Sequence, residues 1–203
     1  MGERHVTAGK TTAAALDGWL VFEDEAGFSM TPPTARTWSP RGHTPVIAVR
    51  GRSRRRISIA ALTCYRPGHR SRVIYRPRRD SGTRGGRKSF AWTDYRDLLT
   101  DAHQQLPGGS IVLIWDNLGT HTCGDMQEYA SGRDWLTIYQ LPSYAPDLNP
   151  VETLWSLVRR PLANTVFTDP DHLIATIRTG LRRIQHRPGL IDSCLTATGL
   201  NPP

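Results

Sequence analysis

Carboxylates stand at three places in the chain where their neighbours are apolar. Glu23, Asp24 and Glu25 close the run "WLVF" of residues 19–22, Asp116 closes "IVLIW" of residues 111–115, and Glu152 follows Asn149, Pro150 and Val151 at the head of a patterned segment. Each has an ordinary reading. A charged residue that ends an apolar strand is commonly a solvated end, and Glu152 suits a capping box in which it reaches back to the backbone N–H of Asn149. Asp116 is harder to dismiss, because it leaves an uninterrupted apolar strand and leads into the polar turn Asn117-Leu118-Gly119-Thr120-His121. Two strand ends and one helix start, brought together, make a hard-oxygen site suited to Mg²⁺, which keeps water and phosphate oxygens as its other ligands. Two such ions could activate a water or a 3′-hydroxyl and stabilise the leaving oxygen of a phosphodiester.

A second feature points to the same substrate class. Residues 50–88 hold 13 Arg and one Lys against a single acid, Asp80, whereas the whole chain of 203 residues carries only +8. Basicity is therefore local. So many like charges repel one another unless a polyanion neutralises them, which makes phosphate contact the better reading of the group, with Arg54, Arg55, Arg56, Arg78 and Arg79 as its candidates.

Elements must position these groups. "LVFEDEAGF" reads as a buried strand running into a turn at the acids, "RRRISIAALTCY" as a second strand, and "SIVLIWDN" as a third, central one. Between them, "SFAWTDYRDLLTDAHQQL" repeats Trp92, Tyr95, Leu98, Leu99 and Ala102 at helical spacing until Pro107-Gly108-Gly109 stops it. A helix near residues 121–130, a strand "WLTIYQL", a helix from Asn149 and a last helix near 171–186 complete the order. Asn149 suits the N-cap, Pro150 the first helical position, and Val151, Leu154, Trp155 and Val158 form the apolar face. Strands followed by alternating helix and strand imply a mixed α/β sheet covered by helices. Residues 1–18 read as a leader or linker, 66–88 as weakly structured within a basic insertion or arm near 50–88, 34–49 as short β-rich pieces, and 191–203 as a tail around a domain of residues 19–190. Trp38 and Trp155 read as core.

Composition excludes several classes. At 38% hydrophobic and 22% charged the chain is ordinary globular material, and no window approaches the ~18 apolar residues of a membrane span. Cys64, Cys123 and Cys194 lie far apart without a C-x-x-C pair, the pattern of reduced thiols, so a cytoplasmic, nucleoid-associated location is expected. "AGKTT" near the start is no phosphate-binding loop, since Arg4 stands where its first glycine is required.

Together "FEDEAGF", "TWSPRGHTP", "IWDNLGTH" and "LPSYAPDLNPVETLW" resemble the catalytic domain of the DDE transposases of the Tc/mariner superfamily, in its bacterial insertion-sequence branch. Thirty-five residues separate Asp116 from Glu152, close to that group's short, regular spacing. The resemblance implies a ribonuclease H-like fold with helices on both faces of the sheet, and Asp24, Asp116 and Glu152 as catalytic, metal-binding acids. Asp24 is chosen over its neighbours by the family pattern, because strand alternation alone does not choose. It also implies Mg²⁺, with Mn²⁺ substituting, double-stranded DNA as partner, a homo-oligomer when active, and Asn117 and His121 in support. Tyr144 and Pro146 would shape the turn that aims Glu152. The implied activity is cleavage and strand transfer of an insertion sequence; a DNA-binding remnant without activity and a ribonuclease H-like nuclease are the alternatives. No helix-turn-helix fits before residue 19, so end recognition is expected from a separate protein encoded in an upstream frame.

Overall fold

A computed structural model of the chain describes residues 2–46, 56–79, 89–142 and 145–200, and of residues 2–5 only the backbone. Five strands form one sheet in the order β3-β2-β1-β4-β5: β1 Trp19–Ser29, β2 Arg56–Tyr65, β3 Arg72–Arg79, β4 Ile111–Trp115 and β5 Leu136–Gln140. The first three pair antiparallel, while β1, β4 and β5 run parallel. The sheet is thus mixed, as expected. The helices are α1 Gly2–Ala15, α2 Trp92–Gln105, α3 Gly119–Thr122, α4 Gly124–Ser131, α5 Pro150–Arg159, α6 Pro170–Gln185 and α7 Pro188–Thr196.

Period-two alternation along β1 divides the interior in two. Leu20, Phe22, Ala26 and Phe28 face a core completed by Val6 of α1, Leu154 and Trp155 of α5, Ile177 of α6 and Leu195 of α7. Trp19 and Val21 face the other way, onto Tyr95, Leu98 and Leu99 of α2 and Met126 of α4. Helices therefore cover both faces, and central β4 is buried at all five residues.

Several expectations are corrected. β1 does not turn at its acids: β2 pairs with it at every position from Leu20 to Ser29, so the backbone hydrogen bonds continue through them. Its parallel partner β4 covers only Trp19–Phe22. From Glu23 onward, one edge of β1 stands free just beyond the end of β4, where open sheets with parallel strands place their ligands. The stretch read as a leader contains a 14-residue helix with Val6 and Ala13 buried, and the stretch read as a tail contains α7 with Ile191, Cys194 and Leu195 buried. Both had too few apolar residues for a strong periodic signal. Residues 32–46 form no strand, and Trp38 is fully exposed, not core.

Of the basic segment, the described residues 56–79 are largely part of the sheet. Arg56 opens β2, and β3 is an edge strand in which Pro77 is tolerated for want of a neighbour on one side. Its cations find acids from distant parts of the chain: Arg66 pairs with Asp17, Arg76 with Asp97 and Asp101, Arg78 with Asp94, and Arg79 with Asp171. A count along the sequence missed those partners because they come from the α1–β1 turn, α2 and α6. Arg54, Arg55 and Tyr144 lie outside the described residues.

Candidate active site

Asp24, Asp116 and Glu152 line one open cleft of about 380 Å³, together with Asn117, Asn149 and the turn through Leu141, Pro142, Ala145 and Pro146. Each acid arrives by a different device.

Asp24 lies on the β1 face that α5 covers, where the Trp155 indole N–H donates to its Oδ2 at 2.8 Å. Trp155 is buried, packed edge-on to Phe28 with ring centroids 5.9 Å apart. The residue read as core thus also fixes one oxygen of an acid. Its position three residues after Glu152, one helical turn along, is the signal that could have suggested this.

Glu152 is carried by α5, whose start is stapled to β1. Asn149 accepts the Val151 N–H on Oδ1 at 3.1 Å and donates through Nδ2 to the Glu23 carbonyl at 2.8 Å. The side chain that caps the helix therefore also ties it to the strand beside Asp24. The capping box left open for Glu152 is absent: the Asn149 N–H donates to the Pro146 carbonyl at 2.9 Å. With its proposed backbone partner engaged, the Glu152 side chain is exposed to the cleft.

Asp116 follows the end of β4. Its Oδ1 accepts from the Leu118 N–H at 3.0 Å and from His121 Nδ1 at 2.8 Å. Asn117 turns away to donate to the Leu141 carbonyl at 2.8 Å, joining the ends of β4 and β5. His121 is buried, stacked on Trp115 at 4.1 Å and met edge-on by Tyr95 at 4.5 Å.

The carboxyl groups are unequal. Burial, reinforced by the charge of Glu152, pushes Asp24 from 3.8 up to about 7 despite the Trp155 hydrogen bond. The hydrogen bond from His121, with the Leu118 N–H, holds Asp116 below its ordinary value. Glu23, on the opposite face of β1 and only 1% exposed, is pushed well above the carboxylate range by burial, with Asp24, Asp116 and Glu25 adding repulsion. Its oxygens have no hydrogen-bond partner. Glu25 accepts from the Tyr95 hydroxyl at 3.1 Å.

Such a donor set, all hard oxygen and crowded enough to raise one of its own acids, suits a divalent cation. Among the described residues no three His, Cys, Asp or Glu side chains are already gathered into a finished metal cage. Asp24, Asp116 and Glu152 share the cleft without being gathered into such a cage. Of the basic candidates, Arg56 is exposed, while Arg78 and Arg79 stand in their ion pairs away from the cleft lining. No described helix is long and apolar enough to cross a membrane.

Comparisons with known proteins bear on the family and the fold. A family model described as DDE superfamily endonuclease matches residues 19–174. Among curated proteins, the uncharacterized protein y4pE/y4sA of Sinorhizobium fredii (strain NBRC 101917 / NGR234) is 31% identical over 87 residues, which are 42% of this chain and 62% of that protein. Among solved structures, the Mos1 mariner paired end complex with Mn superposes with a TM-score of 0.62 at 16% identity, over 98% of this chain and 62% of that one. The catalytic domain of Mos1 mariner transposase gives 0.53 at 14% identity, over 97% of this chain and 93% of that one. The chain thus spans about 62% of the length of the curated relative and of the paired-end Mos1 chain. At these identities the Mos1 likeness establishes the ribonuclease H-like fold. Matched over residues 19–174, the chain belongs to the DDE superfamily endonuclease family, built on the fold of a mariner transposase catalytic domain.

Proposed function

We propose that this chain is the catalytic subunit of an insertion-sequence transposase, cutting DNA strands at the element's ends and joining them to target DNA with the help of Mg²⁺ or Mn²⁺. The observation that carries the reading is the meeting of Asp24, Asp116 and Glu152 in one cleft, with Asp24 driven up to about 7 by burial and by Glu152. Acids that oppose each other's ionisation are favoured as carboxylates by a cation placed between them.

When bound, the metal would supply Lewis-acid activation of a water or a 3′-hydroxyl and stabilise the leaving oxygen. The chain's own residues do the positioning. Trp155 holds Asp24 Oδ2, His121 and Leu118 hold Asp116 Oδ1, and Asn149 holds the start of α5 against β1 so that Glu152 stays over the cleft. One oxygen of each aspartate is thereby fixed and the other left for a ligand.

Double-stranded DNA is the substrate we assign. Solved Mos1 relatives are described as paired end and strand transfer complexes, and a homo-oligomer is the matching expectation here. Arg54, Arg55 and Arg56 are the proposed phosphate contacts; Arg79, paired at the surface with Asp171, can exchange that partner for a phosphate. A separate helix-turn-helix protein remains the proposed reader of the ends.

The test is nicking of supercoiled DNA with Mg²⁺. Asp24→Asn, Asp116→Asn and Glu152→Gln should each abolish it, since losing one charged ligand removes several kcal/mol of transition-state stabilisation, while DNA binding persists. A Glu152→Gln protein that nicks at the wild-type rate would refute the assignment.

A further inference from the structure

Of the two acids of the β1 run that the proposed reaction leaves unused, Glu25 accepts from Tyr95 and Glu23 is placed unusually. It is buried to 1% exposure, both its oxygens lack a hydrogen bond, and the nearest complementary atom is His121 Nε2, 3.4 Å from Oε2 and equally without one. Two unpartnered polar groups so close inside a protein complement each other, because either alone would carry the full desolvation cost. His121 then continues the line: its other nitrogen, Nδ1, donates to Asp116 Oδ1 at 2.8 Å. Trp115 stacked at an interplanar angle of 3° and Tyr95 at 80° pack against the ring, so the imidazole is held in the line from Glu23 to Asp116.

We infer that Glu23 is a positioning residue, acting through His121 to fix the orientation of the ring that holds Asp116 Oδ1. A polar group opposite Nε2 fixes the rotation of the imidazole, and with it the direction in which Nδ1 meets Asp116 Oδ1. Asp24 and Glu23 thus serve one cleft from opposite faces of the same strand: Asp24 lines it, and Glu23 supports Asp116 from behind.

This inference rests on the proposed divalent-metal site, and its test separates the two. Partners that orient a ligating group typically change metal affinity by 10- to 100-fold. Mn²⁺ binding is measured by electron paramagnetic resonance on the intact chain, alongside the thermal midpoint in EDTA. Glu23→Leu, which removes any polar partner for Nε2, should weaken Mn²⁺ binding about tenfold, with a cooperative melt in EDTA showing that the variant is folded. Glu23→Gln, which keeps a hydrogen-bonding group opposite Nε2, should bind within about threefold of wild type. His121→Asn keeps an N–H toward Asp116 and removes Nε2; in that background Glu23→Leu should cost nothing more. Wild-type Mn²⁺ affinity in Glu23→Leu would overturn the inference alone, as would the same tenfold loss with Asn at position 121, which would make Glu23 act independently of His121. A wild-type chain that binds no Mn²⁺ would overturn both the metal reading and this one.

Discussion

Asp24→Asn should stabilise the metal-free protein, and only at neutral and alkaline pH. The folded chain holds the Asp24 proton until about pH 7, whereas an unfolded aspartate releases it near 3.8. Since the native state binds this proton more tightly, stability falls as pH climbs from about 4 to about 7 and stays reduced above. At ~1.36 kcal/mol per tenfold change in proton affinity, that interval corresponds to about 4 kcal/mol. Water in the open cleft screens the Glu152 contribution, so the gain expected from Asn is about 2–4 kcal/mol at pH 8. Asn keeps an oxygen for the Trp155 N–H and carries no charge. For a chain of this size the gain corresponds to a rise of roughly 5–15 °C in melting temperature at pH 8, and to almost none at pH 4. The assay is calorimetry of both proteins in EDTA at the two pH values. Millimolar Mg²⁺ should then narrow the gap at pH 8 by stabilising only the wild type. An equal melting temperature at pH 8, or an equal gain at both pH values, would refute the reasoning.

Trp155→Phe keeps an aromatic ring in the core but removes the donor to Asp24, and should cost about 1 kcal/mol more at pH 8, where Asp24 is a carboxylate, than at pH 4 in urea titrations. Asn149→Ala removes the α5 cap and leaves the Glu23 carbonyl unsatisfied, for a combined loss of about 2–3 kcal/mol by the same measurement; nicking should fall further than the lost stability accounts for, because Glu152 loses its anchor. Replacing Arg54, Arg55 and Arg56 together by Ala should flatten the salt dependence of DNA binding by roughly one unit for each phosphate that is no longer neutralised. Arg78→Ala should leave that slope unchanged while destabilising the start of α2 by about 1 kcal/mol, because its partner Asp94 also accepts the Ala91 N–H.

The sequence made the scaffold readable wherever apolar residues repeat at a fixed period. β4 is apolar throughout, α2 buries Tyr95, Leu98, Leu99 and Ala102 at helical spacing, and α5 begins at Asn149-Pro150 as its capping residues require. The opposite faces of Glu23 and Asp24 were not legible, because the sequence reads as a strand that turns at its acids, and neither was the face that holds the cleft. That depends on β4 ending at Trp115 and on α5 crossing β1, both facts of tertiary structure. Roles that join distant residues were out of reach for the same reason. Asn149 bonds a carbonyl 126 positions away, Trp155 an acid 131 positions away, and the arginines of β3 find their counter-charges on other elements. Charge counted along a segment describes a chain that has not yet folded.

Anomalous diffraction from crystals grown with Mn²⁺ tests the central claim most directly. The account predicts a peak in the cleft ligated by oxygens of Asp24, Asp116 and Glu152, and no peak there in Asp116→Asn crystals grown alike. A cleft without Mn²⁺ in the wild type at millimolar metal, or an ion bound there without any of these three carboxylates, would contradict it.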